Sequence, residues 1–86
     1  MKTGLIVRVF GSEPHGWETS SAIQAVKHST QANQVEIITN NTGHYDVHDA
    51  WRSLLSLGMK RIDCTIGEFT TSGTLRLTGR ELRLWG

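Results

Sequence analysis

A chain of 86 residues with 37% hydrophobic and 20% charged side chains reads as one soluble domain, residues 1–86, rather than a disordered chain, and buries about 60 to 65% of its unfolded surface on folding. A formal net charge of +1 excludes a global field toward nucleic acid or acidic lipid, leaving only local basic patches. Cys64 is the single cysteine, which excludes an internal disulfide, and the apolar run at the start breaks at Arg8, too short for an export signal or a membrane span; the expected setting is a reducing cytoplasm.

Residues 5 to 10, Leu-Ile-Val-Arg-Val-Phe, are β-branched and apolar enough for a strand, with Leu5, Val7 and Val9 on one face and Ile6, Arg8 and Phe10 on the other. Gly11 to Gly16 breaks it. From Thr19 the spacing predicts a helix with Ala22, Ile23 and Val26 on one face, capped by a hydroxyl of Thr19, Ser20 or Ser21. Val35 to Thr39 predicts a second strand, followed by an Asn40-Asn41-Thr42-Gly43 turn. Thr42 or Asp46 offers the cap of a second helix, whose apolar stripe Val47, Trp51, Leu54, Leu55 and Leu57 ends at Gly58 as its C-cap. Ile62, Cys64 and Ile66 alternate with Asp63 and Thr65 as a third strand with one buried face. Two further alternating runs, Thr74 to Thr78 and Glu81 to Trp85, joined by Gly79-Arg80, have the pattern of a β-hairpin. The expectation is an α+β fold: β-α-β-α-β with two helices on one face of an antiparallel sheet, then a C-terminal hairpin.

Four places invite chemistry. The segment Pro14 to Ala22 leads into a helix start, whose free amides and partial positive charge suit a negative group; Glu18 there either complements the first turn or offers a fixed charge to a partner, and His15 beside it is a candidate phosphoacceptor. His44 and His48, at i, i+4, lack a third ligand and make no metal signature. Asp46 and Asp49 flank His48, with Ser53 and Ser56 nearby, but no Gly-x-Ser-x-Gly elbow supports a hydrolase. Arg76, Arg80, Arg83 and Trp85, with Lys60 and Arg61, read as edge-strand protection or as a basic, partly aromatic nucleic-acid face. Cys64 reads as a small core residue and Trp51 as core, whereas Trp17, in a loop, reads as a contact residue.

Several strings then fall in an order that resembles the histidine phosphocarrier (HPr) family of the bacterial sugar phosphotransferase system: Gly16-Trp17-Glu18-Thr19-Ser20-Ser21-Ala22, Val26-Lys27, Glu36-Ile37 and Leu57-Gly58-Met59, over roughly residues 5 to 67. Glu18 stands where that family carries its phosphorylated histidine, Ser20 at the arginine and Ser21 at the proline; Ala50 falls near the regulatory serine, and the family's third helix is not evident. The resemblance implies a phosphocarrier-like domain kept for protein binding, with no cofactor and no catalysis, because a carboxylate lacks the imidazole nitrogen that accepts and passes on phosphate. Its partner surface is expected at Trp17, Glu18, Ser20, Ser21 and Met59, on the first helix start and the second helix. The alternatives are a phosphocarrier using His15 and a small nucleic-acid binder using Arg76, Arg80, Arg83 and Trp85.

Overall fold

A computed structural model describes residues 2–10, 14–39, 47–71, 73–77 and 82–85, with only the backbone of Phe10 and of residues 82–85. The Asn40–Gly43 turn, His44, Asp46 and Arg80 lie outside the described residues, as do the side chains of Arg83 and Trp85. The elements run β1 (Thr3–Phe10), α1 (Thr19–Thr30), β2 (Gln34–Ile38), α2 (Val47–Ser56), β3 (Arg61–Phe69), β4 (Leu75–Leu77) and β5 (Leu82–Trp85). The expected β-α-β-α-β order and the α+β character are present, built around a mixed sheet and two helices.

The sheet is not antiparallel throughout. Its order is β2-β1-β3-β4, with β5 also on β3; β1 pairs in parallel with β2 and with β3, while β4 and β5 pair antiparallel with β3. A helix joins β1 to β2 and another joins β2 to β3, as parallel neighbours require. The chain leaves β1 toward one edge and returns past it toward the other. Because strand-helix-strand crossovers are right-handed, that reversal sends the helices to opposite faces, which corrects the expectation of two helices on one face.

The core is accordingly two clusters back to back on β1. Leu5, Val7 and Val9 meet Val26 of α1 with Val35 and Ile37; Ile6 meets Ala50 and Leu54 of α2 with Met59, Ile62 and Cys64. Both parities of β1 are therefore buried, and Ile6 and Val7 are wholly so. Each such aliphatic side chain contributes about 1.5 to 3 kcal/mol by leaving water. Gly4 faces α2, where a Cβ would come within 3.0 Å of Leu54 Cδ1 and 3.1 Å of Met59 Cγ, so the helix sits close against the strand. α2 ends as expected at Gly58, at φ 87°: the Gly58 and Met59 amides donate to the Leu55 and Leu54 carbonyls at 3.0 and 3.1 Å, a Schellman closure.

The first helix starts differently from its expected cap. Glu18, extended at φ −119° and ψ 125°, holds the N-cap position and makes no side-chain cap bond. The third strand also departs from its expected limits. Ile62 and Cys64 are buried, but Ile66 is 42% exposed, because the cluster under α2 reaches only as far as Cys64. The strand then continues through Gly67 to Phe69. Gly67 fits because a Cβ there would press to 3.0 Å on Val7 Cγ1 and 3.2 Å on Leu75 Cδ1.

Among the described residues the two tail segments do not pair with each other. β4 pairs with the end of β3, Gly67 opposite Leu77 and Phe69 opposite Leu75, and β5 pairs with its beginning, Cys64 opposite Leu82 and Ile62 opposite Trp85. A nine-residue β3 is long enough to take both segments end to end, and the turn that makes a hairpin is the one between β3 and β4.

Candidate functional site

The chain leaving β1 reaches α1 through Pro14-His15-Gly16-Trp17-Glu18. Gly16 takes φ 83°, a conformation that costs glycine little, and the Trp17 amide donates to the Pro14 carbonyl at 3.4 Å. That turn leans on the one between β3 and β4, since a Cβ on Gly73 would touch the Pro14 ring at 3.9 Å. The second turn is itself pinned: the Thr70 amide donates to the Thr74 carbonyl at 2.8 Å, the Gly73 amide to the Thr70 carbonyl at 3.0 Å, and the two threonine hydroxyls lie 2.7 Å apart.

Between these turns Trp17 stands edge-on to Phe69, ring centroids 5.0 Å apart and planes at 63°, the favoured geometry for aromatic pairs. Both are half-buried against the α1-side core. Beside them opens a mainly apolar cavity of about 270 Å³, lined by Trp17, Glu18, Ser21, Ala22, Ala25, Phe69, Gly73, Thr74 and Leu75. It continues into a second cavity of about 240 Å³, with which it shares Ala25 and Leu75 and which runs on to Ser29 and Leu77. The two make one groove between α1 and β4. Glu18 is exposed on its rim, and the Ser21 hydroxyl donates to Glu18 Oε2 at 3.2 Å.

Of the residues expected to meet a partner, Trp17, Glu18 and Ser21 thus come together, and Ser20 is exposed next to them. Met59 does not join them. It is only 4% exposed, inside the α2-side core, on the opposite sheet face from α1, so the α1 start and α2 do not form one continuous surface. What α2 and the turn that closes it expose instead are Leu55 and Leu57.

His15 is exposed in the turn before α1. His48, also exposed, lays its ring over half-buried Trp51 at 5.5 Å. The Ser53 hydroxyl donates to Glu36 Oε1 at 3.2 Å and the Ser56 hydroxyl to the Ser53 carbonyl at 2.7 Å, so neither points at a histidine. Arg76 is exposed and sits opposite Glu68 in the ladder, a pairing of opposite charges that suits a strand edge. Among the described residues no three of His, Cys, Asp and Glu gather as metal ligands, and no helix is long and apolar enough to cross a membrane.

Phe69 and Leu75 are the site residues that the sequence reading missed. The signal was the alternation Thr65, Gly67, Phe69, interrupted only by a glycine. No protein-family model, curated protein or solved structure matches the chain.

Proposed function

We propose that the chain is a non-catalytic protein-binding or regulatory domain whose contact face is the start of α1 together with the turn between β3 and β4. The reading keeps, from the phosphocarrier resemblance, the segment Gly16 to Ala22 as the docking segment, with Glu18 a charge that needs no phosphoryl transfer to be present. The observation that carries it is the Trp17–Phe69 pair, which leaves two aromatic rings half-buried at the mouth of an apolar groove with a carboxylate on the rim. Rigid aromatics of this kind lose little conformational freedom on binding and are enriched among residues that carry interface energy.

The test is affinity capture from the source cell with the intact protein, followed by titration of the captured partner against two variants. Trp17→Ala, checked by thermal unfolding to be folded, is expected to weaken binding roughly 10- to 100-fold, as truncation of an aromatic anchor does. Glu18→Ala should weaken it less and reduce its salt dependence. Binding indifferent to both changes removes this face from consideration.

A further inference from the structure

The groove has a width and a polarity that narrow what fits it, an inference that rests on the protein-binding reading above. Four strands spaced about 4.8 Å apart span roughly 14 Å between the outer axes, whereas one helix is about 10 Å across. On the α1 face that single helix packs its Val26 onto β1 and β2, so the strip toward β4 has no helix of its own among the described elements. Leu75 and Leu77 are half-buried there. Apart from the buried Val26, the flank that α1 turns to this strip carries small side chains, Ser21, Ala22, Ala25 and Ser29, which allow another helix axis to approach within about 8 Å.

Charge adds a direction. Arg76, whose ladder partner is Glu68, lines the second cavity beside Ser29 and Leu77, whereas Glu18 is the charged residue lining the first, at the end where α1 begins. A helix lying antiparallel to α1 brings its C-terminus to that end. Helix C-termini favour Lys and Arg, which complement the dipole, and such a residue would meet the Glu18 carboxylate.

We infer that the occupant of the groove is an amphipathic helix of a partner protein, seated antiparallel to α1, with its apolar face on Ala25, Leu75 and Leu77 and a Lys or Arg of its last turn against Glu18. Apolar anchors recur along such a helix at i, i+3 or i+4, and i+7.

The probe is a phage-displayed library of peptides about 15 residues long, near the length at which isolated helices become viable, selected on the intact protein. Enriched sequences should show that helical spacing with a basic residue at the C-terminal end. A synthetic copy should gain helical circular dichroism on binding and shift the amide resonances of Ala22, Ala25, Leu75 and Leu77. Ala25→Arg, at an exposed helix position, fills the groove and should weaken binding at least about tenfold with an unchanged melting temperature, one discrimination step of about that size being what a blocked anchor site costs. Glu18→Lys should switch the preference to an acidic last turn.

Peptides with alternate-residue spacing that bind as strands, failure to enrich any sequence, or indifference to Ala25→Arg would each overturn the helix assignment. Binding lost in Trp17→Ala but kept in Ala25→Arg leaves the contact face standing and removes the helix from the groove. Binding indifferent to both removes the face as well.

Discussion

The Cys64 thiol lies in the α2-side core with Ile6, Ala50 and Leu54, and burial pushes its pKa above the ordinary 9.0, with the Arg8 guanidinium pulling it partly back. A raised pKa means that the folded chain holds the thiol proton more tightly than the unfolded chain. The contribution is therefore intact below about pH 9 and is lost as pH rises from the unfolded value through the folded one. Urea midpoints for the wild type and Cys64→Ala, compared between pH 8 and pH 10, should show the wild-type advantage shrinking above pH 9, and a constant gap would contradict this account. The same burial should leave the native thiol slow toward an aromatic disulfide reagent and fast in denaturant. Its core role was legible from alternation with Ile62, whereas the exposure of Ile66 was not: alternation tells which face a side chain takes, and only the helix above decides how far along that face water is excluded.

At the scale of elements, α1 begins on a residue that a helix start does not favour. Glu18 occupies the N-cap without capping, and Ser21, which by sequence suited the cap, spends its hydroxyl on the Glu18 carboxylate instead. Serine at this position would accept from the free amides of the first turn and gain about 0.5 to 1 kcal/mol. Proteins break such local rules at functional or strained sites, which is consistent with the contact role proposed for Glu18. Glu18→Ser is therefore expected to raise the melting temperature by a few degrees, as about 1 kcal/mol does in a domain of this size, while weakening partner binding. Both readouts on one variant decide the point: a stabilised protein that binds unchanged would mean that Glu18 serves neither the helix nor a partner. Position, in this case, was readable in the sequence, because Gly16 and the hydroxyl run announced a helix start. The missing cap bond was not readable, since a cap depends on side-chain direction rather than on residue order.

For the whole molecule, the order of strands and helices was legible from periodicity, yet their layering was not. Pairing in the sheet is decided by which strand lies in the middle, and β1 is that strand. Its sequence carried the clue in Leu5-Ile6-Val7, apolar on both parities, as a strand covered by helices on two faces must be; Arg8 obscured it by making the outer end of one face polar. The tail misled for a related reason: two alternating runs separated by Gly79-Arg80 read as mutual partners, although a longer β3 could take each in turn. The central place of β1 has a measurable consequence. Its amides and carbonyls are shared between β2 and β3, and its side chains close both core clusters, so no opening short of global unfolding frees them. Native-state hydrogen exchange should therefore show Leu5 to Val9 slowest and sensitive to denaturant with the global slope. β4, three residues long and bonded to β3 alone among the described strands, should open sub-globally and exchange at least about tenfold faster, an opening free energy lower by about 1.4 kcal/mol. If the enriched helix fills the groove over Leu75 and Leu77, its binding should slow β4 selectively toward the β1 rate, and equal protection of both strands before any ligand is added would mean that this side of the sheet is already closed.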